Sequence, residues 1–215
     1  MNILVIGTPA GVASCDVAAG GRPAICTHGA LAVSADGERW VLLNAGRSLG
    51  AQLRDEPSLR RRRDAGASIA GVVLLDAHMD DVSGLLSLRD GPPIELHCTP
   101  CVFEDLTSGL PLLPLLQHYC GVHWHVLPVA GDCLSAGFTV EGAPGLRFLA
   151  LAIDGPASAY SPHRHDPGAG DHIGLVVEDD ASGERLLYAP GLAQAREDAR
   201  AAFLDAAELL LDSVV

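Results

Sequence analysis

The stretch Ile69-Ala70-Gly71-Val72-Val73-Leu74-Leu75-Asp76-Ala77-His78-Met79-Asp80-Asp81 joins an apolar run to a short segment of carboxylates and one imidazole. A continuous apolar run of this length, rich in Val and Leu, predicts a strand that is buried on both faces. The acidic residues then crowd the loop that follows it, and carboxylates this close repel one another unless protons or a cation neutralise them. We therefore predict a divalent-metal site that contains Asp76, His78, Asp80 and Asp81.

The same acidic residues also suit the start of a helix. Apolar residues return from Val82 onward, and either Asp80 or Asp81 could cap a helix that begins there. Capping explains one aspartate and leaves the rest of the set unexplained.

Length and composition predict one domain over residues 1–215. The chain has 48% hydrophobic residues, and its mean hydropathy is +0.26. No apolar run reaches the roughly 18 to 20 residues that span a bilayer. The segment Met1–Gly7 has neither a basic flank nor a signal-peptide cleavage site. We expect a cytoplasmic protein that does not enter a membrane.

The charge balance argues against nucleic acid as a partner. The formal net charge is −13, from 27 acidic and 14 basic residues. The basic run Arg60-Arg61-Arg62-Arg63 lies beside Asp64 in a polar connection, which is typical of a solvated surface.

Six cysteines occur without a secretion signal, which favours free thiols or metal ligands over disulfides. They are Cys15, Cys26, Cys98, Cys101, Cys120 and Cys133. Cys98 and Cys101 have the spacing of half a zinc site, but a second close pair is missing, so a packing role is favoured.

The order of apolar runs predicts an α/β sandwich of two mixed sheets. A doubly wound parallel sheet would need a crossover helix after nearly every strand, and strands here outnumber helices. The predicted strands are 3–6, 30–34, 40–43, 72–75, 94–98, 122–127, 138–140, 146–152, 173–177, 186–188 and 209–211. The predicted helices are 82–88, 103–108, 112–118 and 195–204.

A second group of candidate ligands follows Tyr160. His163, His165 and His172 lie in a loop that Pro162 and Pro167 restrict and that runs into a strand. Such a loop can hold an imidazole in a fixed direction against the first cluster. By contrast, strand alternation puts His123 and His125 on one face, which favours a structural or substrate-wall role over chelation.

Several of these segments resemble the pyrroloquinoline quinone (PQQ) biosynthesis protein B family, PqqB, within the metallo-β-lactamase fold superfamily. The resemblance covers nearly the whole chain in order, in residues 32–42, 71–91, 104–109, 160–174 and 187–192. It implies a metallo-β-lactamase-like αββα sandwich of two mixed sheets. Because the family continues beyond the equivalent of Val215, with further histidines, the resemblance implies a C-terminally shortened version. A homodimer or a partner that supplies the missing part is then expected.

The metal motif departs from the family. The superfamily pattern His-x-His-x-Asp-His falls on residues 76–81, where only His78 and Asp80 match it. PqqB proteins usually have Asp in the first position and keep the final His, so Asp81 is unusual. The next histidine of the superfamily corresponds to His163, and its bridging aspartate is replaced within residues 188–191. The family's N-terminal Cys-x-Cys-x-x-Cys zinc segment is also incomplete, with only Cys15 and Cys26 in that region.

The resemblance implies an iron- and oxygen-dependent hydroxylase that acts on the tyrosine-derived ring of a peptide-derived precursor in PQQ biosynthesis. Two imidazoles and one carboxylate suit non-haem Fe(II), so Asp76, His78 and His163 are the expected ligands, with Zn(II) as the second choice of metal. Asp80 and Asp81 are expected as further ligands or catalytic bases. Tyr160, Arg164 and His165 are expected to line the substrate pocket.

Two other functions stay open. The altered motif also suits a non-catalytic protein that binds or carries PQQ or its precursor. A zinc-dependent hydrolase is the third hypothesis, because lactamase-type hydrolysis in the superfamily usually relies on zinc.

Overall fold

Eleven strands and four short helices make up the part of the chain that a computed structural model describes, residues 1–6, 24–26, 30–55, 59 and 68–190. The strands are β1 (Asn2–Ile6), β2 (Ala24–Cys26), β3 (Ala30–Ser34), β4 (Trp40–Leu43), β5 (Ile69–Val73), β6 (Ile94–Cys98), β7 (Val122–Val126), β8 (Ser135–Phe138), β9 (Leu146–Ala152), β10 (Ile173–Asp179) and β11 (Arg185–Tyr188). The helices are α1 (Leu49–Asp55), α2 (Met79–Val82), α3 (Pro100–Glu104) and α4 (Leu112–Gln117).

Two mixed sheets pack face to face. The first has the order β1-β3-β4-β5-β6-β7, in which the pairs from β4 to β7 are parallel and those from β1 to β4 antiparallel. The second has the order β2-β11-β10-β9-β8, in which only the β2-β11 pair is parallel. The predicted sandwich of two mixed sheets is therefore confirmed.

Strand β5 lies in the interior of the first sheet, and all five of its residues are buried. One face of the first sheet packs against the second sheet, through residues such as Val73, Val177 and Tyr188. The other face packs against the helices, through residues such as Leu74 and Leu116. Because β5 is covered on both faces, its sequence is apolar throughout rather than alternating.

The helices were harder to predict than the strands. Residues Ser83–Leu88 extend α2 as a 3₁₀ helix, and Asp105–Gly109 extend α3 as a π-helical turn. Helix α1 was not predicted, because only Leu49 of its seven residues is buried and the apolar period is too weak to show. The predicted helix 195–204 and strand 209–211 lie outside the described residues. None of the helices in the described ranges has the length and apolar content to cross a bilayer.

The alternation predicted for β7 is confirmed. Trp124 stacks on Phe103 on the helical side of the sheet, at a ring-centroid distance of 3.7 Å. On the other side His125 stacks on His97 at 4.5 Å, and His97 also stacks on Phe138. Burial, together with the charge of His125, lowers the pKa of His97 to about 4.

His97 should make the stability of the fold depend on pH. Its folded pKa lies below the ordinary value near 6.5, so below pH 6.5 the unfolded chain takes up a proton that the folded chain does not. Stability is then complete above pH 6.5 and falls toward pH 4. At pH 5 the expected loss in the free energy of unfolding is about 2 kcal/mol relative to pH 8.

Urea unfolding at pH 8 and pH 5 measures this loss. The His97→Phe variant should lose less stability between the two pH values than wild type does. His118 is exposed, so His118→Gln is the control and should keep the wild-type dependence of stability on pH. If His97→Phe also kept that dependence, His97 would not be its cause.

Candidate metal centre

Two hydrogen bonds of the Leu75 backbone, just after β5, hold the two halves of the site together. The Leu75 N–H donates to Asn44 Oδ1 at 2.9 Å, and the Leu75 carbonyl accepts the Ile173 N–H at 2.9 Å. The second bond joins the end of β5 to the start of β10, across the two sheets. Asp76 and His172, the next residues on either side, are therefore neighbours although 96 positions separate them.

One carboxylate and two imidazoles meet at this junction. Asp76 is buried, and its Oδ1 accepts the His78 N–H at 2.8 Å. Its Oδ2 lies 4.0 Å from His172 Nδ1. The rings of His78 and His172 are 5.0 Å apart between centroids. We call Asp76, His78 and His172 the Asp76 cluster.

The orientation of His172 fits a metal ligand. Its Nε2 lies 2.6 Å from the Pro156 carbonyl oxygen, which can only accept, so Nε2 carries the proton. The lone pair of the neutral ring is then on Nδ1, which faces Asp76. Metal-binding histidines commonly donate the other ring N–H to a carbonyl in this way. Gly155 makes room for the ring, because a Cβ there would lie 2.6 Å from His172 Cδ2.

Asp81 shares the polar environment of Asp76. Burial raises the pKa of Asp76, and burial together with the Asp76 and Asp80 carboxylates raises the pKa of Asp81 to about 7. Without a cation the pair therefore tends to keep a proton, and a divalent cation could replace it.

Asp80 has a different environment. Its side chain is 74% exposed, and Oδ1 lies 3.2 Å from Arg47 Nε. The helix that begins at Met79 carries Asp80 outward, away from the buried Asp76. The structure therefore does not bring Asp80 into the cluster as a ligand. Neither Asp80 nor Asp81 caps this helix either, since its N-cap residue is His78.

A cavity of about 440 Å³ opens beside the cluster. It is lined by His78, Met79, Asp80, Asp81, Ser158, Ala159 and Tyr160. Tyr160 donates its hydroxyl proton to the Ala77 carbonyl, and burial, with the charges of Asp105 and Asp76, raises its pKa to about 12. Tyr160 thus lies where a pocket wall was predicted. Arg164 and His165, predicted for the same wall, are exposed and do not line this cavity.

The structure does not place His163 with Asp76 and His78. The Nε2 of His163 lies 2.6 Å from Asp171 Oδ1, and its Nδ1 faces Glu104 and Asp105. The imidazole beside Asp76 belongs to His172 instead. The two histidines share one loop, but only His172 directly precedes β10 and follows its register. That position at the start of a strand was the signal in the sequence that could have identified it.

Similarity to known proteins agrees with this fold. A family model of the β-lactamase superfamily domain matches residues 39–215. Coenzyme PQQ synthesis protein B from Methylococcus capsulatus is 43% identical over 189 residues, 86% of this chain. The protein of that name from Methylobacillus flagellatus is 47% identical over 172 residues, 78% of this chain. The crystal structure of Zn²⁺-bound PqqB from Methylobacterium extorquens superposes with a TM-score of 0.61, at 27% identity over 82% of this chain.

The chain covers only part of the length of these proteins. It spans 60% of the Methylococcus protein, 55% of the Methylobacillus protein and 56% of the Methylobacterium chain. The likeness to PqqB predicted from the sequence motifs is confirmed. The chain belongs to the β-lactamase superfamily, within which its similarity is to coenzyme PQQ synthesis protein B.

Proposed function

We propose that the chain performs a metal- and oxygen-dependent hydroxylation in PQQ biosynthesis, on the tyrosine-derived ring of a peptide-derived precursor. The observation that carries the proposal is the Asp76 cluster, with His172 Nδ1 turned toward the Asp76 carboxylate. One carboxylate and two imidazoles that leave other coordination positions open are typical of non-haem Fe(II) oxygenases. The similarity to PqqB supports the pathway.

Each residue has a distinct part in this proposal. Asp76, His78 and His172 hold Fe(II), which supplies the activation of dioxygen. Asp81 lines the cavity, where its carboxylate can accept a substrate proton. Met79 and Ala159 give the cavity apolar wall that an aromatic ring requires, and about 440 Å³ is enough for a small ligand.

The proposed substrate is a peptide-derived aromatic precursor. The proposed assembly is a homodimer, or a complex with a subunit that completes the site.

Oxygen uptake tests the proposed function. Protein loaded anaerobically with Fe(II) is mixed with a crosslinked Glu-Tyr peptide, oxygen and ascorbate as the reductant. We expect uptake of oxygen and a product heavier by one oxygen atom. Asp76→Asn should reduce the rate roughly 100-fold or more, because it removes the anionic ligand. The exposed His165→Ala is the matched control and should keep the wild-type rate.

Two other outcomes would point to the other functions. Tight binding of the peptide without metal and without oxygen uptake would indicate a carrier. Cleavage of an ester or lactam by the Zn²⁺-loaded protein, again without oxygen uptake, would indicate a hydrolase. The zinc arm is needed because the Methylobacterium PqqB structure is Zn²⁺-bound.

A further inference from the structure

A second group of metal-binding side chains lies on the other side of the loop that carries His172. Cys101, His163 and Asp171 each present a donor atom, and these atoms all lie within 4.8 Å of one another. We call these residues the Cys101 cluster. In the described part of the chain no other group of three His, Cys, Asp or Glu side chains meets this distance.

The fold holds the three residues together from two directions. Cys101 belongs to α3, and its Sγ donates to the Ala169 carbonyl at 3.7 Å. His163 and Asp171 come from the loop before β10, where His163 Nε2 lies 2.6 Å from Asp171 Oδ1. Thr99, just before α3, donates its hydroxyl proton to the Gly170 carbonyl at 2.6 Å. The cluster therefore joins α3 to the loop.

A buried carboxylate oxygen with no partner in the described ranges faces the other nitrogen of the His163 ring. Asp105 is 2% exposed, and its Oδ1 has no hydrogen-bond partner among the described residues. That oxygen lies 4.0 Å from His163 Nδ1. Leaving a buried carboxylate oxygen unpaired costs free energy. An ion bound at His163 Nε2 would leave the proton on Nδ1, and a small movement would let Asp105 accept that proton and orient the ring.

The charges around the cluster also favour a cation. Glu104 Oε2 lies 3.7 Å from His163 Nδ1, so three carboxylates surround one imidazole and one thiol. Burial and these carboxylates raise the pKa of Cys101, which disfavours a nucleophilic thiolate. A bound divalent cation reverses this effect, because it stabilises the thiolate directly.

We propose that Cys101, His163 and Asp171 form a second metal site, which takes a zinc-like divalent transition-metal ion and fixes the loop that carries His172. One sulfur, one nitrogen and one oxygen donor suit tetrahedral Zn²⁺ with its fourth position open to water. On binding, the ion displaces the proton shared by His163 and Asp171. Those two donor atoms then move apart to roughly 3.3 Å, as bonds of about 2.0 Å in a tetrahedron require. The proposal does not rest on the hydroxylase proposal, and the site shares no residue with the Asp76 cluster.

Cobalt titration of the full chain tests the proposal. Co²⁺ bound by a thiolate gives a charge-transfer band in the near ultraviolet, which the Asp76 cluster cannot give because it has no sulfur. Wild type should show the band, and Zn²⁺ should abolish it by displacement. Cys101→Ser should lose the band, and Asp105→Asn should bind Co²⁺ roughly 10-fold more weakly or worse. Cys133→Ser, at an exposed free cysteine, is the matched control and should keep the band.

A measurement on the unaltered protein guards against a variant that fails to fold. The X-ray absorption spectrum of the zinc-loaded wild type should contain a sulfur neighbour at about 2.3 Å. Absence of that neighbour, or a cobalt band that persists in Cys101→Ser, would overturn the proposal.

Discussion

Replacing His172 with alanine is expected to weaken Fe(II) binding at the Asp76 cluster roughly 100-fold or more. The change removes the imidazole whose Nδ1 faces Asp76, and His78 and Asp76 alone hold a divalent cation weakly. The measurement is an anaerobic Fe(II) titration in a calorimeter. It is best made in a Cys101→Ser background, which removes the thiol of the second proposed site.

Two histidines on the same loop serve as controls in that titration. His165 is exposed, and His163 is hydrogen bonded to Asp171. In the Cys101→Ser background, both His165→Ala and His163→Ala should leave the Fe(II) affinity of the Asp76 cluster within about 3-fold of its starting value. The assignment of His172 would be contradicted if His163→Ala lost Fe(II) binding and His172→Ala retained it.

Replacing Gly84 with alanine is expected to destabilise the fold by about 3 kcal/mol. A Cβ at this position would lie 2.2 Å from the Gly46 carbonyl oxygen and 2.6 Å from that of Ala45. Both contacts are with backbone, which cannot turn aside as a flexible side chain would. The Gly84 N–H also donates to the Ala45 carbonyl at 2.7 Å, and the Ala45 N–H donates to the Asp81 carbonyl at 2.6 Å. The substitution therefore strains the segment that carries Asp81.

Urea unfolding measures this effect as a lower midpoint with an unchanged slope. The matched control is Gly137→Ala in the exposed part of β8, where the nearest atom to a new Cβ would be 4.0 Å away. The control should stay within about 0.5 kcal/mol of wild type. Equal stabilities of Gly84→Ala and Gly137→Ala would contradict the close contact between Gly84 and Gly46.

Much of the sheet architecture could be predicted from apolar runs alone. The bounds of β3, β4, β6 and β9 were predicted to the residue, because turn-forming residues lie at their ends. The predicted strand 72–75 begins three residues later and ends two residues later than β5, since Leu74 and Leu75 are as buried as the strand itself. Strand β2 was missed. It has only three residues, and its pairing with β11 is a long-range contact that no local pattern encodes.

The site could be predicted only in part, for a similar reason. Asp76 and His78 follow from the local pattern of an apolar strand that ends in ligands. The choice of His172 over His163 depends on the bond between Ile173 and Leu75, which crosses the two sheets. The outward position of Asp80 depends on where α2 begins, and the first residue of a helix is hard to predict from sequence. The pairing of Cys101 with His163 and Asp171 likewise required the packing of α3 against the loop.

A crystal structure of the chain loaded with Fe(II) under anaerobic conditions shows whether Asp76, His78 and His172 bind the metal. Anomalous scattering at the iron edge locates the ion without reference to activity. We expect an iron peak between Asp76 Oδ2 and His172 Nδ1, with these atoms drawn closer than their present 4.0 Å and the His78 ring turned toward the peak. At saturating Fe(II), the absence of iron beside Asp76, with or without iron at Cys101, would contradict this assignment.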